Sequence, residues 1–327
     1  MSEQHDQETI SIILCSMDRH ADLEQAVASV RRSGPIGSTA EIVVVEEADE
    51  PKPVDGTRYV HLPRAGRGFG YARNVGVKTA TGELLLFLDD DCRAERGWAE
   101  ALIQPFAADG DVLGVAGSVA VQGCGPVGYA ENILGFPGGG LRYLHESGGQ
   151  VVPTRHLSTC NCAYRRRALE QVGGFPEEAQ AGSEDALAAE RVARLGSCRY
   201  QPNAVVYHRT RDRFDRVLRW FMRRGFSEMA SMARRVEWRC FSSYLLRSSW
   251  TLRAVGLLLL GSVVPPAFMA LPVVVALYYG AMLWRFRFAR RYPSHRSAWW
   301  LVPAVKFTMD IGNELGRWRF VLSRGQA

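Results

Sequence analysis

The N-terminal part of the chain alternates short apolar runs with segments of helical periodicity. Residues 10–15 form an apolar run, and residues 23–30 carry apolar side chains at helical spacing. Two further apolar runs cover residues 41–45 and 84–88. Strands that alternate with helices predict an α/β domain with a mostly parallel sheet flanked by helices.

Polar residues follow each of these predicted strands. Ligands of open α/β sheets bind at the carboxyl ends of the strands, and Ser16, Glu46 and Asp89 all fall there. The helix that leads to Asp89 starts in the glycine-rich residues 66–74. Their glycine spacing is that of neither a dinucleotide nor a Walker phosphate loop.

Asp89, Asp90 and Asp91 form an acidic cluster directly after the apolar run at residues 84–88. Adjacent carboxylates repel one another, so a cation or a positively charged partner is expected there. Alternation along an extended chain sends Asp89 and Asp91 to one side and Asp90 to the other. Two carboxylates on one side predict a Mg²⁺ or Mn²⁺ site that leaves coordination positions for a nucleotide diphosphate. The alternative is a solvated, aspartate-rich turn.

The C-terminal third has a different pattern. Arginines and aromatic residues alternate over residues 209–253, which predicts basic amphipathic helices, and residues 254–284 contain no charged side chain. Such a run is long enough to cross a bilayer, but Pro265 and Pro266 interrupt it and arginines flank both ends. We expect a helical hairpin or a re-entrant element, with a single tilted span as the alternative. The apolar residues 298–311 are expected at the membrane interface.

Length and composition agree with a catalytic domain that carries an appendage. The chain has 327 residues, a net charge of +6 and seven scattered cysteines without metal-ligand spacing, which is typical of reduced thiols. Residues 1–9 are polar and do not resemble a signal peptide. The basic stretch has no accompanying nucleic-acid-binding motif, so no nucleic-acid partner is predicted.

Seven short motifs resemble, in sequence and in order, those of family-2 glycosyltransferases of the GT-A fold, in particular membrane-associated bacterial members. The motifs are Ser11–Ser16, Glu41–Val45, Ala72–Gly76, Gly82–Asp91, Asn161–Arg166, Gly173–Phe175 and Glu184–Asp185. The resemblance covers about residues 9–208. It implies metal-dependent transfer of a sugar from a nucleotide-diphosphate sugar, with inversion at the anomeric carbon, as in hexosyltransferases.

The resemblance also implies roles for single residues. Asp89 and Asp91 match the metal-binding pair of the family, and His208 resembles a histidine that completes the metal shell or contacts the diphosphate. The positions that resemble donor-binding residues are Ser16, Arg19, Glu46, Arg73, Asp90, Asn161 and Glu184. Glu46 stands where the family usually has an aspartate that binds the base, so base recognition departs from the family pattern.

Asp185 matches the catalytic base of the family. An inverting transfer needs a base on the face opposite the leaving diphosphate, where it takes the proton of the acceptor hydroxyl. The alternative is that Glu184 and Asp185 cap the helix predicted over residues 186–195.

Together these features predict three regions. They are a GT-A domain at 1–208, basic helices at 209–253 and hydrophobic membrane-associated helices at 254–327. The expected acceptor is a lipid, a lipid-linked glycan or a polysaccharide at the inner membrane, with the catalytic domain in the cytoplasm. Lipid, a second copy in a homo-oligomer or the basic helices could cover the apolar run, and lipid is favoured. The alternatives in function are a nucleotidyltransferase-like enzyme and a non-catalytic membrane scaffold of the same fold.

Overall fold

A computed structural model describes residues 8–177, 183–234, 250–264 and 271–324. The chain divides into two compact units. Unit 1 contains Met1–Gln122 and Gly135–Arg209, and unit 2 contains Gly123–Leu134 and Thr210–Ala327. The division after Arg209 lies beside the domain boundary predicted at residue 208, and the structure adds residues 123–134 to the second unit.

Unit 1 is built on a nine-stranded sheet. Its strands are β1 (Ile10–Met17), β2 (Glu41–Ala48), β3 (Arg58–Pro63), β4 (Leu84–Asp89), β5 (Cys92–Ala94), β6 (Val112–Ala120), β7 (Val152–Pro153), β8 (Asn161–Arg165) and β9 (Ser197–His208). Its helices are α1 (His20–Ser33), α2 (Pro35–Thr39), α3 (Gly68–Thr79), α4 (Trp98–Ala108), α6 (Gly140–Ser147), α7 (Arg166–Gln171) and α8 (Glu184–Leu195).

The sheet is mixed, which corrects the expectation of a mostly parallel one. Strands β3, β2, β1 and β4 are parallel neighbours in that order. β8 then pairs antiparallel with both β4 and β6, and β9 pairs parallel with β6 and antiparallel with β5 and β7. The antiparallel pairing of β8 depends on contacts between distant segments, which the local hydrophobic pattern does not encode.

Both faces of the sheet are buried, and this explains the continuous apolar runs of the strands. Ile12 and Leu14 of β1 pack in one cluster with α1 and α4, whereas Ile13 and Cys15 pack in the other with α3, α7 and α8. In β4, Leu84, Leu86 and Leu88 pack in the first cluster, and Leu85 and Phe87 pack in the second. The strands predicted at 10–15, 41–45 and 84–88 and the helix predicted at 186–195 are therefore present.

Unit 2 is helical. It contains α5 (Pro126–Ile133), α9 (Phe214–Arg234), α10 (Trp250–Val263), α11 (Leu271–Arg285), α12 (Pro293–Arg296) and α13 (Val302–Arg324), with 3₁₀ turns at Arg287–Arg291 and Trp299–Leu301. α9 and α13 pack along their lengths, and α5 packs against α12 and α13. Within the patch predicted at residues 298–311, Ala298, Val302, Val305 and Met309 are buried in this unit.

The uncharged run at 254–284 forms parts of two helices, α10 and α11, rather than one. Among the helices described, none has both the length and the apolar character needed to cross a membrane. α11 has no buried residue, and Val274 and Leu277 are 58% and 68% exposed. The predicted break at Pro265 and Pro266 lies outside the described residues.

Candidate active site

Three parallel strands end at the same edge of the sheet in unit 1. The register pairs Ser16 of β1 with Glu46 of β2, and Cys15 with Asp89 of β4. The polar residues at the carboxyl ends of these strands therefore meet at one edge, as the strand pattern predicted.

Asp90 is the buried member of the acidic cluster, with 1% exposure. Ser16 Oγ donates to Asp90 Oδ2 at 2.8 Å, and Arg19 Nη2 lies 2.9 Å from Asp90 Oδ1. Burial raises the pKa of Asp90 to about 7, although the Arg19 guanidinium acts in the opposite direction. Ser16 and Arg19 thus hold Asp90 in place. β4 ends at Asp89, and Asp90 and Asp91 lie in a turn, so the alternation predicted for an extended chain does not continue through all three aspartates.

Asp91 lies between a guanidinium and an imidazole. Arg19 Nη1 is 2.8 Å from Asp91 Oδ2, and His208 Nε2 is 3.2 Å from Asp91 Oδ1. The pairing of Cys92 in β5 with His208 in β9 sets this contact. The structure thus brings together two residues that are far apart in sequence and that were both predicted to bind a metal.

The donor set at this point fits a divalent cation. Ligand atoms of Asp91, Cys92 and His208 lie within 4.8 Å of one another. The pKa of Cys92 is raised well above its ordinary value by burial, so its thiol is protonated and is a poor ligand. Asp91 with His208 offers an oxygen and a nitrogen, whereas Asp89, whose side chain is 31% exposed, lies outside this cluster and contacts Arg73. Carboxylate and imidazole together suit Mn²⁺, and carboxylates alone suit Mg²⁺.

Arg73 links the acidic cluster to the start of α8. Its Nη2 lies 3.3 Å from Asp89 Oδ1, and its Nη1 donates to Glu184 Oε1. Arg73 and Glu184 are both buried. Burial raises the pKa of Asp89, and Arg73 opposes this effect. The guanidinium therefore keeps two carboxylates together and fixes the residue that precedes Asp185.

Asp185 lies in the first turn of α8 and is partly exposed. Its Oδ1 accepts a hydrogen bond from the Ala186 backbone at 2.7 Å, and its Oδ2 accepts one from Ser158 Oγ at 3.1 Å. The N-cap of α8 is Ser183 and the helix has no side-chain cap hydrogen bond, so neither contact of Asp185 is a capping contact. Arg73 contacts both Asp89 and Glu184, so the chain enters α8 at Asp185 beside the acidic cluster.

Glu46 is buried beside a pocket of about 260 Å³. Tyr59 Oη donates to its Oε2 at 2.8 Å, and His20 Nδ1 lies 3.2 Å from the same oxygen. The pocket is lined by Asp18, His20, Glu46, Ala48, Asp49, Glu50 and Lys52. The predicted base-binding carboxylate is therefore present at a cavity, while its neighbour Glu47 accepts backbone hydrogen bonds from Ala65 and Gly66.

Asn161 is placed differently from the prediction. Its Nδ2 donates to Ser118 O and Ala204 O, and its Oδ1 accepts from Trp98 Nε1, each at 2.8 Å. The side chain is buried and its polar atoms are all engaged within the fold. The structure thus gives Asn161 a part in holding β6, β8 and β9 together, instead of contact with a donor.

Sequence reasoning missed Ser158, His20 and Tyr59. Ser158 contacts Asp185 across 27 positions, and Tyr59 contacts Glu46 from the adjacent strand β3. His20 stands close to the predicted loop residues Ser16 and Arg19, and this proximity could have singled it out. Ser158 and Tyr59 carry no such local signal.

Comparison with known proteins identifies the domain that carries this edge. Residues 11–173 match the family model described as Glycosyl transferase family 2. These residues belong to glycosyl transferase family 2. The matched range of the family-2 domain includes the aspartate cluster, Arg73 and Ser158, whereas Asp185 and His208 lie beyond it.

Two curated relatives resemble the family-2 domain. A glucosyl-dolichyl phosphate glucuronosyltransferase of Haloferax volcanii is 25% identical over 179 residues, which cover 51% of this chain and 55% of that protein. A pre-mycofactocin glycosyltransferase of Mycobacterium tuberculosis is 31% identical over 172 residues, which cover 51% of this chain and 34% of that protein. The chain thus spans about half or less of the length of these relatives.

A solved structure resembles most of the chain. A mannosyltransferase from Pyrobaculum calidifontis, in complex with GDP-Man and Mn²⁺, has 20% sequence identity and a TM-score of 0.59. The likeness covers 94% of this chain and 87% of that one. With the family match, it establishes an α/β fold of the GT-A glycosyltransferase type.

Proposed function

We propose that this protein is a metal-dependent, inverting glycosyltransferase. It moves a sugar from a nucleotide-diphosphate sugar to a lipid, a lipid-linked glycan or a polysaccharide at the cytoplasmic face of the inner membrane. The activity named for the two relatives and the GDP-Man and Mn²⁺ of the solved neighbour support this reaction class.

One observation carries the proposal: the aspartate cluster lies at the ligand-binding edge of a family-2 domain, with His208 against Asp91. Asp89, Asp91 and His208 would hold Mn²⁺ or Mg²⁺, which when bound would neutralise the negative charge of the leaving diphosphate. Glu46, which lines the neighbouring pocket and pairs with Ser16 in the sheet, would bind the nucleoside end of the donor, together with Ser16 and Arg19.

Asp185 is the proposed base. The acceptor hydroxyl oxygen forms a bond to the anomeric carbon while the bond from that carbon to the diphosphate oxygen breaks. Asp185 takes the proton of the hydroxyl, and the nucleoside diphosphate leaves with the electron pair of the broken bond. Arg73 and Glu184 act on this step through position, because their ion pair fixes the start of α8 relative to Asp89.

The membrane acceptor is supported by unit 2. Residues 238–309 contain no aspartate or glutamate but nine arginines and lysines. Exposed apolar residues of α11 adjoin arginines that cover tryptophan rings, with Arg287 at 4.4 Å from the Trp284 ring and Arg290 at 5.2 Å from the Trp299 ring. Apolar side chains bordered by tryptophan and arginine match the chemistry of an anionic membrane surface.

The reaction is tested with the purified full-length protein and a panel of UDP-, GDP- and dTDP-sugars, with Mn²⁺, with Mg²⁺ and with chelator. We expect metal-dependent release of nucleoside diphosphate with at least one donor. Asp185→Asn should retain donor affinity and lose about two or more orders of magnitude in transfer, because an amide cannot accept the proton. Asp55→Asn, at an exposed carboxylate, is the matched control. If transfer by Asp185→Asn equals that of wild type, the base lies elsewhere.

A further inference from the structure

We propose that Ser158 is a positioning residue for the proposed base, Asp185. Its hydroxyl donates a hydrogen bond to the Asp185 carboxylate and so holds the start of α8 against the turn before β8. The inference rests on the proposed function for its kinetic consequence. Its structural content, a tie between the start of α8 and the turn before β8, stands on the geometry alone.

The contact is direct. Ser158 Oγ donates to Asp185 Oδ2 at 3.1 Å, while the Ala186 backbone donates to Oδ1. Each carboxylate oxygen thus accepts one hydrogen bond from the protein and retains a lone pair. Two donors fix the plane of the Asp185 carboxylate. One is the Ala186 amide within α8, and the other is the Ser158 hydroxyl in the turn before β8.

The direction of the hydrogen bond follows from the neighbours of Ser158. Cys160 Sγ lies 3.3 Å from Ser158 Oγ and is the donor of that contact. Burial raises the pKa of Cys160, so its thiol keeps its proton. Because the hydroxyl of Ser158 accepts from Cys160, its own single proton is directed to Asp185.

The backbone of Ser158 is itself held in place by the sheet. Its carbonyl accepts a hydrogen bond from the Asn161 backbone at 2.9 Å, and the Asn161 side chain is held by three further contacts. The adjacent Leu157 and Thr159 are buried. The turn is therefore part of the sheet core, and Asp185 is tied to it.

This tie has a specific kinetic meaning. A base must meet the acceptor hydroxyl at hydrogen-bonding distance, and a misplacement of about 1 Å can reduce a rate about 100-fold. Loss of the Ser158 hydroxyl leaves the donor pocket and the aspartate cluster unchanged. The loss should therefore appear in kcat, with little effect on the KM for the donor.

The kinetic test compares Ser158→Ala, Ser158→Thr and wild type as full-length protein, with saturating acceptor and varied donor. We expect Ser158→Ala to lower kcat about 10-fold to 100-fold with a donor KM within about twofold. Ser158→Thr keeps a hydroxyl and should recover most of the rate. Ser147→Ala removes the hydroxyl of a buried serine in α6 and should leave kcat unchanged. An unchanged kcat in Ser158→Ala, or an equal loss in Ser158→Thr, overturns the inference.

A second measurement is independent of activity. Hydrogen exchange of the amides at 184–188 should be faster in Ser158→Ala than in wild type, and it should be unchanged in Ser147→Ala. If exchange at these amides is the same in Ser158→Ala and wild type, Ser158 does not hold the start of α8, and the inference is wrong. If wild type transfers no sugar but exchange at 184–188 responds to Ser158→Ala, the proposed function fails and the tie is upheld.

Discussion

At the scale of single residues, the site is a set of paired charges. Arg19 contacts Asp90 and Asp91, and Arg73 contacts Asp89 and Glu184. Each guanidinium thus joins two carboxylates. Adjacent aspartates are tolerated at the strand end because every member of the cluster has a cationic or imidazole neighbour.

We predict that Asp91→Asn separates binding from folding. The change removes one anionic oxygen from the proposed cation site and weakens the contact with His208, so affinity for the nucleoside diphosphate in Mn²⁺ should fall at least about tenfold. Stability in metal-free buffer should change little, because neutralising one aspartate relieves repulsion within the cluster. Calorimetric titration and thermal melting measure the two quantities.

Asp109→Asn provides the control for this experiment, since Asp109 pairs with Arg199 on an exposed part of unit 1. Equal nucleotide affinity in Asp91→Asn and wild type would remove Asp91 from the cation site. Full transfer activity in chelator would have the same consequence.

Much of this residue pattern could be predicted from the sequence, for a physical reason. Ser16, Glu46 and Asp89 each lie near the carboxyl end of a buried strand, and these ends of parallel strands meet, so local hydrophobic patterns are enough to group them. Ser158 and the structural role of Asn161 could not be predicted, because both depend on where β8 enters the sheet. That position is decided by packing between distant segments.

At the scale of elements, the helix pair α9 and α13 is close-packed through glycines. A Cβ at Gly316 would lie 2.0 Å from the carbonyl oxygen of Met222, and one at Gly225 would lie 2.1 Å from that of Asn313. The Gly312 and Gly316 pair is spaced by four on α13, so both residues face the same neighbour. The sequence shows this spacing, but not which helix it meets.

We predict opposite effects of glycine-to-alanine changes on two helices. Gly316→Ala should destabilise the protein by about 1–3 kcal/mol, because the methyl group meets backbone atoms that cannot move aside as a flexible side chain can. Gly280→Ala in α11 places its methyl group in open space and should stabilise that helix by about 0.5–1 kcal/mol. Urea unfolding measures the free energy of unfolding of both variants. Equal changes in this free energy for Gly316→Ala and Gly280→Ala would mean that α9 and α13 do not pack closely.

The pH dependence of unit 2 should follow the contact between α5 and α12. His295 Nε2 donates to Asn132 Oδ1 at 3.0 Å, and the imidazole packs edge-to-face on Tyr129. Burial lowers the pKa of His295 from 6.5 to about 4. Between these two pH values the unfolded chain binds the additional proton, so the free energy of unfolding falls as the pH drops from 6.5 toward 4.

His295→Gln isolates this contribution, because its amide can still donate to Asn132 and does not titrate. Wild type should lose stability more steeply than His295→Gln between pH 6.5 and 4.5, and the two should run parallel above pH 7. Unfolding monitored by tryptophan fluorescence gives both curves. Parallel curves over the whole range would mean that His295 takes up its proton in the folded state as readily as in the unfolded one.

At the scale of the whole molecule, the chain crosses between the two units three times, after Gln122, Leu134 and Arg209. Within unit 2, the buried Glu131 pairs with Arg211, and Asn132 contacts His295. A catalytic domain followed by a simple appendage was the natural prediction, because composition changes after residue 208. Composition could not reveal that α5 joins unit 2, since its partners lie 80 or more residues further along the chain.

The membrane proposal leads to a prediction for the intact protein. The apolar side chains of α11 are exposed and the surrounding residues are cationic, so the protein should sediment with vesicles that contain anionic phosphatidylglycerol, and less with neutral phosphatidylcholine vesicles. Leu277→Asp should weaken this binding about tenfold, because a carboxylate is costly in an apolar phase and is repelled by anionic headgroups. Leu322→Asp is the matched control, since Leu322 is 69% exposed and lies on α13. If Leu277→Asp and Leu322→Asp bind vesicles equally well, α11 is not the membrane contact. If wild type remains in the supernatant as oligomers, another copy of the chain covers the apolar face of α11.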